Sequence, residues 1–383
     1  MKSFHLLIIA LAALSIQAVP LEKHANLAPR EIKGSTASPT SSVSSVYVSQ
    51  SPTSSAGTTS HASSTLAPAN SSAATNTPTP PTSLAPNALR YLDEQCGAQY
   101  GSCAPGLCCS QWGWCGYTSD HCNSGCQKNY GACDDKIEAE VITRCTAPGT
   151  FAVTFDDGPS VLTSGLLDYL DTEKVKATFF VNGLNQKNAD TKNPILSIYQ
   201  LQDVVKRAYD SGHQICSHTW AHTDLITVDE DEAVYEMTRL NYAFTKVLGK
   251  VPTCMRPPYG DTDAPARKIL KRMGYTVVTW NVDPVDWDPA NTIDEMYQEY
   301  IGQTGSTDPK VGRFISLNHD VWNTTADFRP ENYPKTIPLA QRAIQYLKGR
   351  GWKLVNLADC LQTGPLYRDA NPSDSSCGDE DCV

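Results

Sequence analysis

A chain of 383 residues with a formal net charge of -10 and a sequence pI near 5.3 lacks the basic face that phosphate binding requires, so nucleic acid is excluded as a partner. Its length leaves room for two or three domains. Its fourteen cysteines, an even count, fit disulfides in an exported protein better than free thiols in a reducing cytosol. In chain order, MKSFHLLIIALAALSIQA joins a Lys, a short apolar run and the small residue Ala18, the layout of a signal peptide over residues 1–18. That run is too short to span a membrane, no other is longer, and no hydrophobic tail follows Cys382, so neither a membrane span nor a lipid anchor is expected. Residues 19–90 are rich in Ser, Thr and Pro, with no Asp, Glu, Lys or Arg from Gly34 to Leu89. Such a segment has too little apolar surface to offset its chain entropy and is expected to be a disordered, O-glycosylated spacer. Asn70 and Asn323 are candidate N-glycan acceptors.

Residues 91–134 contain eight cysteines, from Cys96 to Cys133. About forty residues cannot bury enough apolar area to fold unaided, so bridges must supply the stability. Trp112 and Trp114 flank Gly113 in SQWGWCG, and in so small an interior at least one indole is expected to stand exposed as a binding face. The CC pair, SQWGWCG and the cysteine spacing resemble the hevein-like chitin-binding module. The resemblance implies that Ser110, Trp112 and Trp114 contact N-acetylglucosamine units, the rings stacking on the sugar and the hydroxyl bonding the N-acetyl carbonyl. The family usually has Tyr before the sixth cysteine where this chain has His121; Tyr117 is the candidate replacement for that third contact. The resemblance further implies bridges Cys96–Cys109, Cys103–Cys115, Cys108–Cys122 and Cys126–Cys133. With its own disulfide set this module is expected to act separately: a chain starting near Asp134 should still turn over soluble oligomers while losing retention on insoluble polymer.

After Arg144, apolar runs alternate with amphipathic segments. Strands are predicted at 151–155, 177–181, 213–217, 276–280, 313–317 and 352–355, with helical patterns between them, which implies parallel β/α units over residues 145–363 and a tail over 364–383. In such folds function gathers where strands end. Asp156 and Asp157 in TFDDGPS follow the first strand, SHTWAH with His218 and His222 follows the third, and MRPPYG, NVDPVDWD and LNHD close other units. Each cluster alone reads equally well as turn, cap or surface. Five on one predicted face make a site.

The residue types then suggest the chemistry. Asp157, His218 and His222 form a three-ligand set suited to Zn²⁺ or a related divalent ion such as Co²⁺, with the His pair brought together by one helical turn or its equivalent. Asp156 is the candidate base, His319 the candidate acid, Arg256 the partner that keeps Asp156 ionised, and Asp286 the group that orients His319. TFDDGPS, HTWAH, RPPYG, DPVDW and LNH closely resemble, in order, the five motifs of the polysaccharide deacetylase family built on the NodB homology domain. The resemblance implies a distorted (β/α) barrel with fewer than eight regular strands beside the small disulfide-rich hevein-like domain. It implies the Tyr259 backbone N–H as an oxyanion donor, Leu317 and Trp287 around an acetyl methyl, and either Asp283 or Asp286 on His319. Together the two resemblances imply a secreted or wall-associated, monomeric enzyme that hydrolyses N-acetamido groups of chitin and its oligomers. Other deacetylases of the family, acting on peptidoglycan or xylan, and a non-catalytic chitin-binding protein are the alternatives. The remaining cysteines suggest Cys145–Cys360 across the ends of the large domain, Cys216–Cys254 between neighbouring strands, and a small ring Cys377–Cys382.

Overall fold

The computed structural model describes residues 94–133, 137–184, 196–320, 335–370 and 374, all within the compact unit Thr75–Val383. The signal sequence, the spacer, Asn70, Asn323 and the Cys377–Cys382 pair lie outside the described residues.

The cysteine-rich module has little regular structure. β1 (Cys108–Cys109) and β2 (Cys115–Gly116) form an antiparallel hairpin, and one helical turn, α1 (Ser119–Cys122), follows. Bridges Cys96–Cys109, Cys103–Cys115, Cys108–Cys122 and Cys126–Cys133 hold it together, as the resemblance implies.

The large body alternates strand and helix: β3 (Val141–Ile142), β4 (Thr150–Ala152), β5 (Thr154–Asp156), α2 (Thr163–Glu173), β6 (Thr178–Val181), α3 (Gln202–Asp210), β7 (Gln214–Ser217) and α4 (Glu230–Leu248). It continues with β8 (Lys250–Pro252), β9 (Cys254–Met255), α5 (Ala264–Arg272), β10 (Thr276–Val278), α6 (Ile293–Thr304), β11 (Arg313–Ile315), α7 (Thr336–Arg350), β12 (Lys353–Val355), α8 (Leu357–Leu361) and β13 (Tyr367–Asp369). α4, α5 and α6 start where short polar side chains satisfy free amide groups: Asp229 accepts from the Glu232 N–H at the start of α4, Asp263 caps α5, and Thr292 with Glu295 forms a capping box on α6. Gly249 and Gly351 end α4 and α7 at φ 68° and 90°, a conformation that carries no Cβ penalty in glycine.

One parallel sheet runs β3-β10-β9-β7-β6-β5, and a second, also parallel, runs β11-β4-β12. β4 and β5 are one run broken at Val153, so the predicted single strand serves both sheets. Bridges between Asp156 and His319 and between Val282 and Ser316 curl the whole into a distorted barrel. Because helices cover the outer face, β4, β5, β6, β7 and β9 are buried on both sides, whereas β11 and β12 begin at the exposed Arg313 and Lys353. Phe151, Phe155, Phe179, Leu166, Leu170 and Trp352 pack between strands and helices.

Three sequence expectations change. The body extends beyond 145–363 at both ends: β3 adds to the sheet edge beside β10, and β13, inside the expected tail, pairs with β8 while Arg368 meets Asp374 at 2.8 Å. Strands of two or three residues such as β3 and β9 carry too few side chains to show a pattern. The module, third, is not a separate body. Leu107, Cys115 and Tyr117 share one apolar cluster with Val234 and Met237 of α4 and Ile269 and Leu270 of α5. The two further bridges, Cys145–Cys360 and Cys216–Cys254, are present.

Candidate active site

The ends of β5, β7, β9, β10 and β11 bring the polar clusters to one mouth. Asp156, the last residue of β5, is buried, and its Oδ1 accepts from Arg256 Nη1 at 2.7 Å. Arg256 follows β9 and is itself fully buried. Its guanidinium also donates to Thr154 Oγ1 at 2.8 Å and to the Thr279 carbonyl at 3.1 Å, and it lies 4.1 Å over the Phe180 ring. An ion pair this deep holds only with its remaining donors satisfied, which these contacts achieve.

Asp157 turns away from its neighbour through a left-handed backbone (φ 75°), and its Oδ1 lies 3.3 Å from His218 Nε2 and 3.2 Å from His222 Nε2. Burial alone would raise its pKa, but the facing imidazoles, His222 foremost, hold the carboxyl well below the usual carboxylate range. His218 Nδ1 lies 2.7 Å from the Arg256 carbonyl. That carbonyl can only accept, so Nδ1 carries a proton and Nε2 is left facing the Asp157 carboxylate in the ligand cluster. The His pair is brought together not by a helical turn but by its equivalent in a loop. Thr219 and His222 sit at φ 66° and 58°, and this irregular loop brings the two ring centroids to 5.0 Å. The ligand atoms of Asp157, His218 and His222 all fall within 4.8 Å of one another, a donor set and spacing that fit one small divalent ion. The other such grouping among the described residues, Cys96, Cys103 and Cys115, consists of disulfide sulfurs and is not a ligand set.

Opposite, Asp286 takes both the backbone N–H of His319 and its Nδ1–H, each at 2.8 Å, which settles the choice between the two aspartates. Asp283 instead accepts from the Val285 N–H at 2.7 Å and from Trp287, shaping the loop that carries Asp286. Burial would lower the His319 pKa, but the charge and hydrogen bond of Asp286 overcome it and push the imidazole up to about 10. Leu317 is buried beside it, and Trp287 is more than half exposed at the mouth. Tyr259, also exposed, has φ 62° and sets its ring 4.8 Å from that of His222.

Three buried residues that sequence reasoning overlooked hold this arrangement. Asn182, just after β6, donates its N–H to the Gly158 carbonyl at 2.8 Å, and its amide nitrogen donates to the carbonyls of His218 and Thr219, the latter at 2.9 Å. One residue, through its backbone N–H on one side and its side-chain amide on the other, thus ties the Asp157 loop to the His loop. Glu236 on α4 accepts from the Ala221 N–H at 2.8 Å from behind. Asp320 accepts from Thr163 Oγ1 at 2.6 Å; burial raises its carboxyl to about 7, and it fills the space where any Cβ at Gly158 would sit. The signal available was local: TFFVN ends a strand next to a motif, and LNHD continues one.

On the module, Trp112 is 54% exposed and Trp114 partly so. Ser110 is only 2% exposed, with Oγ accepting from the Trp114 N–H at 3.0 Å, and His121 Nδ1 lies 2.8 Å from Thr118 Oγ1. Tyr117 is 4% exposed, against α4 and α5, so its ring is covered by the body and does not replace the missing third contact.

A family model described as polysaccharide deacetylase matches residues 143–278, and one described as chitin recognition protein matches residues 95–133. The chain is 42% identical over 222 residues to a chitin deacetylase of Pestalotiopsis sp, spanning 58% of this chain and 66% of that one. It is 34% identical to a chitin deacetylase of Colletotrichum lindemuthianum, spanning 58% of this chain and 84% of that one. The solved structure of the chitin deacetylase from that fungal pathogen superposes with a TM-score of 0.53 at 31% identity, over 61% of this chain and 98% of the other.

Proposed function

Because the chain belongs to the polysaccharide deacetylase family, we propose that it hydrolyses the N-acetamido groups of chitin, releasing acetate and leaving free amines on the polymer. One observation carries this reading: Asp157, His218 and His222 converge between the Asp156–Arg256 pair and the His319–Asp286 pair. The matched chitin recognition model favours chitin over xylan.

Asp157, His218 and His222 would hold the ion, for which two imidazoles and a carboxylate suit Zn²⁺, with Co²⁺ as an alternative. When bound, such an ion acidifies water and polarises a carbonyl. Asp156, paired with the buried Arg256, takes the proton of the attacking water. The water oxygen bonds to the acetyl carbon, and the Tyr259 N–H donates to the carbonyl oxygen as it gains negative charge. His319, kept protonated by Asp286, gives its proton to the sugar nitrogen as the C–N bond breaks, so the leaving group departs as an amine. Leu317 and Trp287 flank the acetyl methyl, and the exposed Trp112 with Trp114 hold polymer on the module. The enzyme acts outside the cell or in its wall, as a monomer, a location with which its disulfides are consistent.

The test measures acetate released from N-acetylglucosamine oligomers of defined length, before and after chelation and again after zinc is restored. Release that chelator abolishes and zinc recovers is expected. Release indifferent to chelator removes the ligand assignment, and no release from zinc-loaded protein removes the activity.

A further inference from the structure

The cysteine-rich module is seated on the same helices that follow the His loop. Gly106, at φ 88°, lets the module chain press on the Arg272 carbonyl, since a Cβ there would lie 2.3 Å from that oxygen. Arg272 Nη1 donates to the Tyr117 carbonyl at 2.5 Å, and the Ser119 N–H donates to the Glu230 carboxylate on the first residue of α4. The connecting chain is pinned as well, with the Ala139 N–H on the Arg267 carbonyl at 3.0 Å and Glu138 on the Arg267 side chain.

This seam reaches the ligand loop. Residues 223–229 link His222 to α4, and Leu225 within them is buried in the very cluster that takes Leu107 and Tyr117 from the module. The loop thus hangs between His222 at one end and Glu230 at the other, with Leu225 anchored in module-covered apolar surface. Its left-handed Thr219 and His222 are conformations that persist only where the surroundings over-determine them.

We propose that docking of the module sets the loop that carries His222, so that turnover of a short soluble substrate depends on the module even when the substrate never touches its aromatic face. The inference rests on the metal-dependent deacetylase reading. It reverses the expectation that the body works alone.

The test uses the full chain carrying Leu107→Asp together with Tyr117→Asp. Two unpaired carboxylates cannot remain in an apolar seam, while four disulfides keep the module itself folded, which retention on chitin verifies. A second variant, Leu225→Ala, cuts the link from the loop side without altering the module. Three readouts are taken: hydrogen exchange of amides 223–229, zinc affinity by competition with a chromophoric chelator, and kcat and KM for a soluble tetramer. Faster exchange, zinc affinity weakened about tenfold and a lower kcat at similar KM are expected in both variants, more in the first. Exchange and zinc affinity equal to the parent in either variant overturn the proposal. If the parent itself releases no acetate but zinc affinity still falls on undocking, the deacetylase reading fails while the coupling stands.

Discussion

In the module, four disulfides tie together a chain with two strands of two residues each and one helical turn. In the body, two disulfides among the described residues staple a curled parallel sheet packed under helices. Cysteine spacing specifies which residues join but says little about which way the others face; Ser110 and Tyr117 turned inward although the bridges fell where expected. Strand patterning does the reverse. It places residues at the mouth reliably, because every strand of a parallel β/α unit ends on the same side.

If that contrast is sound, changes at the mouth should cost far more than changes on the module's aromatic face. The largest effect is expected from Asp156→Asn, where losing the base should cut turnover by roughly 10²- to 10⁴-fold with zinc content unchanged. Asp157→Asn, one residue away, should instead release the metal; equal zinc loss in both would contradict their separate duties. Next comes the body's long-range staple. The Cys145–Cys360 bridge closes a separation of 215 residues, so the double Cys→Ser variant should lose about 5 kcal/mol of stability in denaturant melts, near the chain-entropy value for a loop so long. A body that melts unchanged without it would show that packing alone suffices.

Asn182→Ala, which cuts the tie between the two ligand loops, should weaken zinc binding by about 10- to 100-fold in chelator competition. Asp286→Asn should act on the pH profile. The acid form of His319 is the working form, present below its pKa and lost as pH rises through it, and Asp286 is what holds that pKa at about 10 against burial. Without the charge, burial prevails and the alkaline limb of kcat/KM moves to lower pH; an unmoved limb would rule out His319 as the proton donor. The smallest effect belongs to the module: Trp112→Ala removes one stacking face, worth ~0.5–1.5 kcal/mol, and should loosen retention on insoluble chitin by only a few-fold to tenfold.

Much of the site was legible because its chemistry sits in contiguous motifs at strand ends. The doublet, the His pair, Arg256 and His319 all met as their positions suggested. The supporting residues were not legible for a physical reason. Asn182, Glu236 and Asp320 act through contacts that cross between β/α units, and nothing in a local window marks a side chain whose partner lies in another unit. Tyr117 failed for a related reason: its exposure depends on α4 and α5, more than a hundred residues downstream. Six helices were visible through their amphipathic pattern, whereas β3 and β9, of two residues each, were too short to show one, and β8 (KVP) and β13 (YRD) carry no apolar run.

The run that breaks at Val153 bears on a subtler matter. Asp156 and Asp157 are chemically identical, so nothing in their own atoms decides which is base and which is ligand. The decision lies in alignment: Asp156 is paired with Phe180 on one flank and His319 on the other, and only the following residue takes the left-handed turn toward the imidazoles. A slip of one residue along either flank would set Asp157 before Arg256 and leave Gly158 facing the histidines. Because two sheets grip the run from opposite sides, such a slip must happen in both at once, and the twin carboxylates keep distinct identities for as long as the barrel stays closed.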